Sequence, residues 1–213
     1  MTDVASPADY PRRVSTGVEG LDDILGGGFS QGHLYLLEGG TGTGKTTIGL
    51  QFLLEGARQG ERGLYITLSS TQQELEEVAH SHGWSLTPLF LFELMPSLDR
   101  LQPEEQQSVF HPAEMEVEVQ DRAVRDVVAQ QQPRRVVIDS LSEFRLLADI
   151  PFLYRRQLLA WRQFFAERQC TVLLLEEYAA DSTTPGAYSL FHGVLHLEQG
   201  CAHCGAALSA SEW

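Results

Sequence analysis

The stretch LLEGGTGTGKTTIGLQF, residues 36–52, constrains the fold more than any other part of the chain. Gly39, four intervening residues, then Gly44, Lys45 and Thr46 fit the phosphate-loop pattern G-x-x-x-x-G-K-[ST]. An apolar run, HLYLLE, leads into it and an amphipathic run, KTTIGLQFLLEGARQ, leaves it, so the loop joins a buried strand to a helix. Glycines at 39, 40, 42 and 44 let successive backbone N–H groups turn toward one anion, Gly39, Gly40, Thr41, Gly42, Thr43 and Gly44 forming the cradle with Lys45, Thr46 and Thr47. The helix start adds unpaired N–H donors and the positive end of its dipole. Lys45 is the only lysine; the other 14 of the 15 Lys and Arg residues are arginines. A compact ammonium on a flexible stem follows β- and γ-phosphates better than a planar guanidinium does. The Thr46 hydroxyl suits Mg²⁺. An ordinary glycine-rich turn needs neither the lysine nor the flanking elements, so nucleotide binding is the base expectation.

Around that joint the chain alternates. Apolar strands are expected at 33–38, 63–68, 89–94, 135–139, 171–176 and 193–198, and helices at 45–59, 71–82, 113–131 and 151–168. Strands separated by helices of this length imply an α/β fold, a mostly parallel sheet flanked by helices on both faces. With 213 residues, 43% of them hydrophobic, one good core is the natural solution. The domain spans 14–200, preceded by a flexible arm at 1–13 and followed by an irregular tail, 201–213, read as a truncated end. Residues 95–112 form a long polar connection, the kind of loop that more often has a function.

A phosphate-loop site needs a carboxylate for Mg²⁺ at the end of a neighbouring buried strand. RRVVIDSLS supplies Asp139, which could otherwise serve as a plain helix cap before SLSEF. A guanine-reading N-K-x-D motif is excluded because the one lysine is already used, so ATP with Mg²⁺ is the expected ligand. The net charge of −14 makes nucleic acid an improbable partner. No apolar run reaches the ~20 residues a membrane span requires. An N-terminus without an apolar core and three cysteines without a disulfide pattern point to the cytoplasm. Cys201, His203 and Cys204 make only half of a zinc site.

The ordered segments STGVEGLDDILGGGFSQGHLYLLEGGTGTGKTTIGLQFLLEG, GLYITLSSTQQELEEVAHSHGWSL, VVIDSLSEF and SLFHGVLHLE resemble the KaiC-like ATPases of the RecA superfamily, from about Ser15 to Glu198. The resemblance implies a RecA-like P-loop NTPase core of first-position type, binding ATP between subunits that usually form six-membered rings. By the same resemblance Ser81 falls where the family approaches the nucleotide's sugar and base.

Two departures bear on activity. Where the family carries a glutamate pair that polarises the attacking water, this chain has Ser69 and Ser70, and Glu74 is the nearest replacement. Losing a general base costs ~10²–10⁴ in rate. The family's Arg-rich strand after the last apolar run is unmatched, since no lysine or arginine follows Arg168, while Glu176 and Glu177 add negative charge near the site. Basic groups supplied from a neighbour are worth ~10³–10⁵ where measured. The expectation is therefore an ATP-binding regulatory or signalling module with slow or latent hydrolysis, weakened self-association and an unidentified protein partner. The alternatives are a non-hydrolysing ATP-sensing scaffold and a RecA-like DNA recombination ATPase.

Overall fold

The computed structural model describes residues 12–94, 112–148, 151–178, 188–199 and 207–212. In chain order the elements are β1 (Arg13–Val14), α1 (Glu19–Ile24), β2 (Phe29–Ser30), β3 (Leu34–Gly39), α2 (Lys45–Arg58), β4 (Gly63–Thr67), α3 (Gln72–Ser81) and β5 (Phe90–Glu93). They continue with α4 (Pro112–Gln131), β6 (Arg135–Asp139), α5 (Leu141–Ala148), α6 (Pro151–Glu167), β7 (Thr171–Glu177), a 3-10 turn (Tyr188–Leu190), β8 (Gly193–Glu198) and β9 (Ala207–Glu212). The main sheet has seven strands in the order β5-β4-β6-β7-β3-β8-β9. All adjacent pairs are parallel except β8 with β9. A separate antiparallel ribbon pairs β1 with β2.

Each central strand is apolar on both faces, as a doubly covered parallel sheet demands. Leu36, Ile66, Ile138 and Leu174 pack with Phe144, Leu158 and Trp161 of α5 and α6 on one side. Tyr35, Leu37, Tyr65, Val137 and Leu175 meet Leu50, Phe52 and Leu53 of α2 on the other. The period-2 alternation thus fixes which strand-end residues face α2 and which face α5.

One buried charge was not foreseen. Arg135 is wholly buried at the start of β6. Its guanidinium donates to Glu61 Oε2 (2.6 Å), Ser15 O (2.6 Å), Phe52 O (2.9 Å) and Gln59 Oε1 (3.3 Å). Gly56 makes room for it, because a Cβ there would lie 2.5 Å from Arg135 Cδ and Nε. Side-chain hydrogen bonds from Gln157 and Trp161 (2.8 Å) of α6 to Asp121 tie α6 to α4, and Arg125 braces the same carboxylate from within α4 at 2.7 Å.

Two elements depart from the sequence reading. The tail 201–213, taken as irregular, contains strand β9, whose Ala207–Glu212 pair with Glu198–Gly193 of β8. Pairing uses only backbone N–H and C=O, so a strand lacking the family's arginines can still occupy the edge. Helix α5, separated from Asp139 by one residue, was not among the expected helices; there Asp139 was read only as a possible cap before SLSEF. The polar connection 95–112, except Pro112, and the residues Cys201, His203 and Cys204 lie outside the described residues.

Candidate functional site

The carboxyl ends of β3, β6 and β7 converge on the phosphate loop. In this sheet β3 is followed by α2, which crosses to β4 and packs on β4, β6 and β7. Such a crossover leaves a crevice beyond the carboxyl strand ends, where α/β proteins bind ligands.

The loop itself is built by its own backbone. Gly44, at φ 94°, turns the chain into α2, a conformation costly for any residue with a Cβ. Thr43 Oγ1 donates to Gly40 O at 2.8 Å and closes the turn. Lys45 Nζ donates to Gly39 O and Gly40 O, both at 2.8 Å, so the ammonium lies within the curl of the loop. Burial lowers the Lys45 pKa, opposed by the carboxylates of Glu177 and Asp139. A triphosphate would replace these two carbonyls with stronger, charged acceptors. Gly42 and Thr41 are exposed at the mouth, and Thr47 lies half-buried in the first turn of α2.

Asp139 comes to the same place. Thr46 Oγ1 donates to its Oδ2 at 3.0 Å, bridging α2 and β6. Tyr65 OH donates to that oxygen at 2.5 Å from β4. Burial first, and then the Asp139 charge, push the Tyr65 pKa well above its ordinary value of 10.0, so the phenol stays a donor. Sequence reasoning found Asp139 and Thr46 but missed Tyr65; its signal was a polar-tipped ring within the otherwise aliphatic GLYITL. A hydroxyl beside a carboxylate is an all-oxygen pair that fits Mg²⁺, which takes few protein ligands and fills the rest with phosphate oxygens and water. Thr46 and Asp139 would hold it, and the ion would neutralise charge on the β- and γ-phosphates.

The proposed replacements for the family's glutamates are placed less favourably. Ser69 is exposed and Ser70 half-buried just past β4, in a turn where Thr67 Oγ1 donates to Ser70 O (2.8 Å) and Ser70 N donates to Thr67 Oγ1 (2.9 Å). Glu74 is the third residue of α3 and its carboxylate closes a capping box, accepting from Thr71 N (2.7 Å) and Thr71 Oγ1 (3.1 Å). These bonds hold its pKa below the ordinary value. A carboxylate so engaged caps a helix.

Ser81 is not brought to the loop of its own chain. It ends α3, which starts after the carboxyl end of β4 and runs back toward the strand's other end, where β5 begins beside Leu64. Its hydroxyl donates to Val78 O at 2.7 Å, and it lines a groove with Trp84, Leu86 and Leu89.

Glu176 and Glu177 separate to opposite faces. Thr41 Oγ1 in the loop donates to Glu177 Oε1, and the Glu177 backbone N–H donates to Ser142 Oγ at 3.0 Å. Glu176 instead accepts from Arg145 at 2.6 Å beside the buried Glu38, which takes His196 Nδ1 (2.6 Å) and Tyr188 OH (3.0 Å). Burial raises the Glu176 pKa, opposed by Arg145. Arg155 is half-buried and Arg156 exposed on α6.

No helix among the described residues is long and apolar enough to cross a membrane. Among known proteins, a KaiC ATPase family model matches residues 14–203. A UPF0273 protein of Pyrococcus horikoshii is 30% identical over 192 residues, covering 86% of this chain and 75% of that protein. A UPF0273 protein of Methanopyrus kandleri is 31% identical over 198 residues, covering 87% and 76%. The circadian clock oscillator protein KaiC of Rippkaea orientalis is 32% identical over 130 residues, 61% of this chain and 23% of that protein. A match across nearly the whole chain, on a parallel sheet with its phosphate loop after β3, means that the chain belongs to the KaiC ATPase family, within the RecA-like P-loop superfamily.

Proposed function

We propose that the chain is a Mg²⁺–ATP-binding module of the cytoplasm that hydrolyses ATP slowly and acts through its bound state in regulation or signalling. The observation that carries this reading is an imbalance within one site. Lys45, Thr46 and Asp139 meet in an arrangement that suits phosphate and metal, while the end of β4 offers only hydroxyls, Ser69 and Ser70. A serine hydroxyl is not basic at neutral pH and orients water weakly. Glu74, the nearest carboxylate in sequence, is committed to Thr71. The edge strand β9 contains no basic residue to lend to a neighbour's γ-phosphate.

Binding and turnover are measured on the same protein: calorimetric titration with Mg²⁺–ATP, and coupled phosphate release. Saturable binding with turnover far below ~1 s⁻¹, the low end for ordinary enzymes, is the expected pair of results. Turnover at or above ~1 s⁻¹ overturns the reading. Glutamates at Ser69 and Ser70 together should raise turnover only modestly, because the charge a neighbour would supply is still missing and groups acting as a unit are not additive.

A further inference from the structure

At the amino ends of the strands, opposite the phosphate loop, the sheet gathers positive charge in a chain whose net charge is −14. Arg62 immediately precedes β4, Arg134 immediately precedes β6, and Arg168 lies just before β7; these three strands are neighbours. Their backbones are laced together, since Arg134 N and Arg135 N donate to Arg62 O (2.9 and 3.2 Å) and Thr171 N donates to Arg134 O (2.9 Å). Arg12 comes from just before β1, where its carbonyl accepts from Gln31 N at 2.9 Å. The four arginines line one cleft of about 800 Å³, with Cys170 beside them.

Solvated arginines at strand entries are common, but these differ in two respects. Arg168 and Arg62 are held in place, Arg168 over the Phe164 ring (3.8 Å to its centroid) and on Phe164 O (3.1 Å), Arg62 on Gln131 O (3.2 Å). The guanidiniums of Arg12 and Arg134 make no hydrogen bond or ion pair with any described residue. Of the nearby carboxylates, Glu61 in the lining is engaged by Arg135 at 2.6 Å, and Glu167 lies 3.9 Å from Arg168. Four guanidiniums around a concave surface repel one another and focus a positive potential into it, a field that an anion relieves. The volume is that of a small-molecule site. Guanidinium forks match phosphate oxygens two at a time.

We propose that this cleft binds a small phosphorylated polyanion, separately from the nucleotide at Lys45. The strands between the two ends are five to seven residues long, which puts the sites roughly 15–20 Å apart. Recognition comes from the charge and fork geometry of Arg12, Arg62, Arg134 and Arg168, with Gln31 and Gln132 of the same lining offering neutral hydrogen bonds.

The test uses the full chain carrying Lys45→Ala, which removes phosphate-loop binding, titrated calorimetrically with inorganic tripolyphosphate. One saturable site, weakening with added salt, is expected. Arg62→Ala combined with Arg134→Ala should weaken it by about tenfold or more. Arg12→Glu, outside the main sheet, should do so with an unchanged circular dichroism melt, which covers the case in which the double variant misfolds. Arg156→Ala, exposed on α6, should leave it unchanged. A parallel titration with ATP identifies the source of the phosphates: competition with tripolyphosphate assigns a nucleotide's phosphate chain, and tripolyphosphate binding alone assigns a nucleotide-free polyphosphate. No saturable heat, or binding indifferent to Arg12→Glu, overturns the proposal. So does a single-stranded oligonucleotide that binds while tripolyphosphate does not. Because Lys45 is absent throughout, the outcome is independent of whether the phosphate loop binds ATP.

Discussion

Replacing Tyr65 with phenylalanine removes one oxygen and leaves the ring, so the buried α2 face keeps its packing and no cavity term arises. What is lost is the 2.5 Å hydrogen bond from the phenol to Asp139 Oδ2. A hydrogen bond to a charged group is worth about 1.5–3 kcal/mol. Thr46 still donates to the same oxygen at 3.0 Å, which favours the lower half of that range. For a domain of this size one kcal/mol moves the melting temperature by about 2–4 °C, so Tyr65→Phe should lower Tm by roughly 3–9 °C. A second consequence appears only with metal. With Mg²⁺ bound, the Thr46 hydroxyl would serve the ion and Tyr65 would be left as the donor that fixes the carboxylate; outer partners of metal ligands are worth about 10–100-fold in metal affinity. Thermal melts in EDTA read the first effect, and ATP titrations across a Mg²⁺ series read the second. A Tm shift under about 1 °C together with an unchanged Mg²⁺ response, against the expected roughly 3–9 °C, would refute the idea that the phenol positions Asp139.

Lys45→Ala should abolish calorimetric ATP binding or weaken it severely, because the only lysine is held within the loop at Gly39 O and Gly40 O; unchanged affinity would contradict the phosphate-site assignment. Arg135→Met should destabilise the fold by about 3–5 kcal/mol in urea denaturation, since it strands Glu61 and two backbone carbonyls of a buried network; a loss under about 1 kcal/mol would show that the network is replaceable by apolar packing. Glu74→Gln should flatten the acid side of the stability profile. The Glu74 pKa is lowered in the fold from its ordinary 4.5, so the wild type gains stability above 4.5 and loses it as pH falls through the lower folded value. Denaturation curves from pH 3 to 6 check this, and parallel profiles would place the capping carboxylate outside the stability balance. The 213-residue chain should run as a monomer or loose dimer in light scattering with or without Mg²⁺–ATP; a stable hexamer would mean that another surface, such as α6 with Arg155 and Arg156, carries the interface.

The phosphate loop was legible because its demands are local. Glycines at fixed offsets, one lysine and a strand-to-helix joint are all set within nine consecutive residues, 39–47, and the observed bounds of α2 and β3 lie within one residue of those expected. The alternation of apolar strands and amphipathic helices likewise predicted a parallel sheet, since burial on both faces dictates that composition. Asp139 was readable for the same reason, as the polar end of a continuous apolar strand. What the sequence could not order was the sheet itself. Strand order brings Tyr65 beside Asp139 across 74 positions, places Glu177 on Thr41 across 136, and lines up Arg62, Arg134 and Arg168 along one edge. Nor could it show that adjacent glutamates 176 and 177 work on opposite sides, one salt-bridged to Arg145 and the other at the phosphate loop, because that follows from the register in which β7 pairs with β3. Local chemistry is written in neighbouring residues, but contacts between distant ones are chosen only when the whole core closes, and there the side-chain alternation of each strand decides which groups meet.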